Sequence, residues 1–126
     1  MRELTITLPL PPMELWQNYR GHWARSHRVK ASHRDGAMLR ARAAIGRANP
    51  PKWTAATADF AFYWPNKRRR DPLNAVAAMK ASIDGLVDAG VLADDDKLMP
   101  GATTFGVDKK NPRVVVVIRP VAGRSA

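Results

Sequence analysis

The chain has 126 residues, enough for one domain with one core and too few for two. Its 21 lysines and arginines against 11 aspartates and glutamates leave a formal net charge of +10, whose self-repulsion points to a polyanionic partner, nucleic acid first. Cysteine is absent, which excludes disulfides and thiolate zinc sites.

No window approaches the roughly 18 apolar residues of a membrane span, and Met1-Arg2-Glu3-Leu4 lacks the apolar stretch of a signal peptide. No segment sets a clean basic face against an aromatic and leucine face, so a membrane surface is not the expected partner. A soluble cytoplasmic protein is expected.

In chain order, Leu4, Ile6 and Leu8 alternate with Thr5 and Thr7, a half-buried strand stopped by Pro9, Pro11 and Pro12. Residues 13–30 read as an irregular stretch of aromatics and cations. Within it Trp16, Tyr19 and Trp23 are expected as core or loop anchors rather than base-stacking platforms. A helix is predicted from about Ser32 to Ile45, with Ala37, Met38, Ala41, Ala44 and Ile45 inward and Arg34, Arg40, Arg42 and Arg47 outward, broken by Asn49-Pro50-Pro51. Residues 56–64 form a second strand with Ala58, Phe60, Phe62 and Trp64 on one face and Asp59, Ala61 and Tyr63 on the other.

Asp71 and Pro72 then suit the N-cap and first position of a second helix, and Gly90 its C-terminal cap. Val76, Met79, Ile83, Leu86 and Val87 make its buried stripe. Leu73, Ala77, Lys80 and Asp84 lie along one shoulder, where Lys80 and Asp84 pair across a turn. Strands are predicted at 98–107 and 113–119, joined by Lys109-Lys110-Asn111-Pro112 as a hairpin-like turn. The second strand is apolar enough to be covered on both faces. The order β-α-β-α-β-β describes an α+β domain, a mixed sheet with two packed helices, over residues 1–121, and 122–126 read as a frayed tail.

The chemistry concentrates around that second helix. Lys67, Arg68, Arg69 and Arg70 run directly into Asp71, and the triplet Asp94-Asp95-Asp96 lies beyond the helix's far end. Cations there suit phosphate. Adjacent carboxylates in a basic chain repel unless a cation neutralises them, and hard divalent ions take oxygen ligands. An N-cap role explains Asp71 equally well, and the two roles are compatible. His22, His27 and His33 lack metal-ligand spacing. The chain has no glycine-rich phosphate loop and no HExxH motif, and Ser26, Ser32 and Ser82 lack a hydrolase elbow.

The stretch from Arg68 to Asp96 resembles the RusA family of Holliday junction resolvases. That family's pattern is a basic run, Asp-x-Asp-Asn, a helix carrying Lys and Asp-x-Leu, an Ala-Gly turn and an acidic doublet. The opening strand, Leu8-Pro9-Leu10-Pro11-Pro12 and the aromatic-rich loop are also similar to the family's start. The resemblance implies a homodimeric endonuclease that uses Mg²⁺, or Mn²⁺ in its place, and no small-molecule cofactor, to nick four-way junction DNA in recombination and repair, bacterial or phage-encoded.

Carried onto this chain, it assigns Asp71, Asp94 and Asp95 to metal and Asp71, Lys80 and Asp95 to catalysis. Arg68, Arg69, Arg70 and Asn74 are assigned to DNA, and the charge of the run adds Lys67 to them. The second aspartate of the pattern is replaced here by Leu73, which binds neither metal nor water. A junction-binding protein that does not cut is therefore an alternative, and a small basic RNA-binding protein is another.

Overall fold

Alternation decides the strands. In β1 (Leu4–Leu8) Leu4, Ile6 and Leu8 are buried and the threonines exposed. In β2 (Ala56–Trp64) the buried set is Ala56, Ala58, Phe60, Phe62 and Trp64. In β4 (Arg113–Pro120) it is Val114, Val116 and Ile118. These residues form one apolar face, completed by helical residues such as Ala37, Ala41, Met79 and Leu86. The computed structural model describes residues 2–121, so the tail expected at 122–126 lies outside the described residues.

The protein is α+β with a four-stranded mixed sheet in the order β1-β4-β2-β3. β4 runs antiparallel to both β1 and β2, whereas β3 (Leu98–Val107) runs parallel to β2. Two expectations are corrected here. The strands around Lys109-Lys110-Asn111-Pro112 are not a hairpin, because β2 lies between them and the turn passes over its end. Nor is β4 covered on both faces, since Val115 and Val117 are only half-buried beside the buried Val114, Val116 and Ile118. The helices complete one face of the sheet and, among the described residues, leave the other without a second layer.

Helix α1 (Trp23–Ile45) begins nine residues before the predicted start. A tertiary clamp explains the difference. Glu14, buried in the 3₁₀ turn Met13–Leu15, accepts from Arg25 Nε at 2.8 Å, and its carbonyl accepts from Ser26 Oγ at 3.0 Å. The His22 ring caps the helix, Nδ1 accepting from the Ala24 amide at 3.2 Å. Ala37, Ala41 and Ile45 are buried and Arg34 is exposed as expected, the latter paired with Asp88 at the surface, but Ala44 is exposed.

The second predicted helix is two helices. Asp71 caps α2 (Pro72–Ala77), its Oδ1 accepting from the Leu73 amide at 2.8 Å. The chain then leaves helical ψ at Ala78 (ψ −10°) and Met79 (ψ 3°) before α3 (Lys80–Asp88) begins. Placing Leu73 beside Lys80 on one wheel assumed a continuous helix, and this break removes that assumption. The far end is as predicted. Gly90 takes φ +83°, the Gly90 amide donates to the Val87 carbonyl and the Val91 amide to the Leu86 carbonyl, a Schellman ending.

Helix α3 packs closely on α1 because Gly85 has no side chain. A Cβ there would lie 2.2 Å from the Arg34 carbonyl oxygen. One turn along, Arg34 grips Asp88 bidentately, Nε to Oδ2 at 2.7 Å and Nη2 to Oδ1 at 2.8 Å. The guanidinium holds the Asp88 carboxyl below its usual 3.8. The amide of Ala102, and then Arg119, do the same for Asp59. Because the folded values are lowered, the unfolded chain binds more protons near pH 4, and the stabilisation present above that value is lost as pH falls through the folded values. Thermal melts should hold level from pH 7 to about 5 and fall steeply below about 4. Asp88→Asn should flatten part of that fall, and an unchanged acid limb in the variant would remove Asp88 from the explanation.

Asp59 also fixes the start of β3. On the open sheet face Glu3, Arg119 and Asp59 form a polar seam, Arg119 pairing with Glu3 at 3.3 Å and with Asp59 at 2.9 Å. Asp59 Oδ1 accepts from the Ala102 amide at 2.9 Å, beside a register shift in the β2–β3 ladder, so the start of β3 is pinned to β2.

Candidate active site at the head of α3 and the acidic turn

Backbone pairing delivers the acidic residues to one place. The amides of Lys52 and Trp53 donate to the carbonyls of Gly90 and Val91 at 2.8 and 3.0 Å, and the Ala93 amide returns a bond to Trp53 at 2.9 Å. This two-stranded splice fixes the chain just before Asp94. A 3₁₀ turn follows, Asp95–Lys97, with Asp94 as its cap, Oδ1 accepting from the Asp95 amide at 2.7 Å. Carboxylate oxygens of Asp94, Asp95 and Asp96 lie within 4.8 Å of one another. They are hard donors at a spacing that one divalent cation fits. Asp71 is not a member of that group.

Lys80 joins this turn to the helices. At the first position of α3 its ammonium donates to Asp84 Oδ1 at 2.9 Å and to Asp95 Oδ2, linking residues 15 apart in sequence. The pairing predicted with Asp84 is present, and Asp95 is the added partner. The hydrogen bonds that Lys80 donates to Asp84 and then to Asp95 raise its pKa, and the same bond to Asp95 is the chief cause holding the Asp95 carboxyl below 3.8. Both groups are charged at neutral pH. A small hollow of about 140 Å³ lies against them, floored by Phe60, Val76, Ile83 and Leu98.

The remaining predicted residues lie on α2 and on the loop before it. Asp71 precedes α2 and Lys80 opens α3, on opposite sides of the break at Ala78–Met79. Its carboxylate is exposed and occupied in capping, accepting from the amides of Leu73 at 2.8 Å and Asn74 at 3.4 Å. Asn74 is exposed in the same short helix, and Leu73 is 81% exposed with no packing role.

In the basic run Lys67, Arg68 and Arg69 are exposed, but Arg70 is built into the loop. Its guanidinium donates to the Asn66 carbonyl and side chain and to the Arg68 carbonyl, and lies 4.3 Å from the Trp64 ring centroid. Sequence reasoning missed this anchoring role, for which no local signal exists. It also missed Glu14, whose burial depends on Arg25.

The three aromatics of the N-terminal loop divide. Trp16 is an anchor as expected, packed 6.3 Å from Trp64 with Nε1 donating to the Pro11 carbonyl at 3.1 Å. Trp23 is 75% exposed, which corrects the expectation of an anchor there. Tyr19 is half-buried at the wall of a cleft.

Compared with known proteins, the chain matches no protein-family model and no curated sequence. Among the described residues no helix is long and apolar enough to cross a membrane.

Proposed function

We propose that the protein is a structure-selective endonuclease, using Mg²⁺ or Mn²⁺, that binds four-way DNA junctions as a homodimer and resolves them by paired nicks. The observation that carries this reading is the convergence of Lys80 on Asp95, beside two further carboxylates, in a chain of net charge +10. A protein that only held phosphate would gain nothing from a carboxylate cluster at this place.

Asp94 and Asp95 would hold the ion, with Asp71 approaching from the start of α2 as the likeness to the RusA family implies. When bound, a divalent ion supplies an activated water and neutralises charge on the phosphate. Lys80, released from Asp95 by that ion, would face the same phosphate. Lys67, Arg68 and Arg69 would seat the backbone, with Asn74 beside them. A two-fold dimer suits a substrate with two-fold symmetry, and such an enzyme works in the cytoplasm of a bacterium, host or phage-infected.

The test compares a mobile four-way junction with linear duplex, with and without Mg²⁺. Symmetric nicks on the junction alone, dependent on the ion, are expected. Equal affinity for both DNAs would remove the junction reading. Tighter binding to structured RNA without a metal requirement would favour the RNA-binding alternative.

Leu73 favours one second reading, a protein that binds junctions without cutting them. It stands exposed where the likeness places an aspartate. Leu73→Asp adds a carboxylate to the first turn of α2, a position the helix dipole favours by about 0.3–1 kcal/mol. The variant should melt no lower than the parent and nick about tenfold faster, the scale on which ligand-shell groups act at metal sites. An unchanged rate in an active protein would mean that Asp94 or Asp96 already fills the role. Nicking confined to the variant would establish the non-cutting reading for the parent.

A further inference from the structure

A groove leads away from Lys80 along α1. Its inner part is a cleft of about 620 Å³ between the 3₁₀ turn at Met13–Leu15, the first half of α1 and the α2–α3 junction, with Lys80 and Asp84 at one end. An outer hollow of about 330 Å³, bounded by Trp23, shares Tyr19, Ser26, His27 and Lys30 with it. The hollow against Asp95 shares Lys80 at the other end. The lining therefore runs without interruption from an exposed tryptophan to the acidic turn.

The chemistry of this lining is selective. Of its three carboxylates, Glu14 is paired with Arg25, and Asp84 and Asp95 share Lys80 at the far end. Lys30 is exposed and has no ion-pair partner among the described residues. Tyr19 is folded over Gly21 so closely that a Cβ there would lie 1.9 Å from its hydroxyl, which holds the ring against the backbone at the groove wall. Trp23 has His22 stacked near one face, 6.4 Å between centroids at 15°, and is otherwise exposed.

We propose that this groove holds an unpaired stretch of the DNA strand next to the phosphate to be cut, its bases on Trp23 and Tyr19 and its phosphates toward Lys30. Unpaired bases offer faces for stacking, whereas duplex buries them, and a positively charged groove with aromatic platforms is how single strands are held without sequence reading. From Trp23 to Arg34 the helix rises roughly 16 Å, room for a few nucleotides. A branch point supplies such a stretch, so this inference rests on the nuclease reading.

The test uses the full chain without added metal and a twelve-residue deoxythymidine strand, its 5-bromodeoxyuridine form for photocrosslinking, and the matching uridine strand. Crosslinks are expected at Trp23 and Tyr19. Trp23→Ala should weaken strand binding about tenfold, the scale of one stacked base, with its melting temperature unchanged because the ring is exposed. Lys30→Ala should weaken binding and lower its salt dependence.

Crosslinks confined to residues 67–70, undiminished binding by Trp23→Ala, or a preference for the uridine strand would overturn the proposal. Because no step here requires cleavage, crosslinks at Trp23 in a protein that never nicks junctions would leave the groove assigned and remove the nuclease reading.

Discussion

Asp95→Asn should give a folded protein that still binds junction DNA but nicks it at least about a hundredfold more slowly. The folding half of this expectation comes from exposure. The Lys80–Asp95 pair is solvent-accessible on both sides, 59% and 39% for the two side chains, and exposed ion pairs contribute little to stability. Lys80 also keeps its bond to Asp84 in the variant.

The catalytic half comes from the donor set. Asparagine preserves shape and one carbonyl oxygen but removes the charge that draws a divalent ion. Loss of a residue that merely orients metal ligands typically costs 10–100-fold, so loss of a ligand is expected to exceed that, about 2.7 kcal/mol in the barrier for a hundredfold. Single-turnover nicking of a labelled junction, with a melting curve of each protein, checks both halves. Equal rates for parent and variant would take Asp95 out of the site, and the convergence of Lys80 on the acidic turn would then be structural only.

Gly85→Ala should lower the melting temperature by about 10 °C. The added methyl would meet the Arg34 carbonyl oxygen at 2.2 Å, the Ala37 Cβ at 2.9 Å and the Met38 nitrogen at 3.0 Å, two of them backbone atoms of a neighbouring helix. Such atoms cannot swing aside, so α3 must move bodily from α1. Overpacking of this kind costs about 1–3 kcal/mol, and a domain of this size shifts by several degrees for each.

Gly36→Ala is the control. It lies in α1, and its nearest obstacle is the Arg40 guanidinium tip at 2.9 Å, the far end of a flexible chain. Relief of glycine's helix penalty, about 1 kcal/mol, should leave that variant equal to the parent or more stable. A displaced α3 also carries Lys80 and Asp84 with it, so Gly85→Ala should reduce nicking, and Gly36→Ala should not. Equal melting of the two variants would refute the close-approach account.

What the sequence made legible was local. The N-cap at Asp71, the glycine ending at Gly90 and the alternation of Leu4, Ile6, Leu8 or Phe60, Phe62, Trp64 are set within a few residues, and each stands as predicted. What remained hidden depends on distant partners. The first turns of α1 carry aromatics and cations without an apolar period, and they are helical because Glu14 clamps Arg25 and Ser26. The bend at Ala78–Met79 leaves no proline or glycine to announce it.

The lysine turn before Pro112 looks like a hairpin because turn chemistry does not say which strand lies alongside. For the candidate site, the carboxylate triplet and the Lys80–Asp84 spacing were readable. The meeting of Lys80 with Asp95 depends on the splice at Trp53 and the pinning of β3 by Asp59, neither of which any window of sequence contains.

The position of β1 at one edge, paired only with β4, has a consequence for synthesis on the ribosome. Leu4 lies opposite Ile118, and Leu8 opposite Val114. At 5–20 residues per second, the first strand waits roughly 5–20 s before its hydrogen-bonding neighbour has been made. During that interval Leu4, Ile6 and Leu8 can be shielded by α1 but not laddered, so closure of the sheet at this edge must await the last strand.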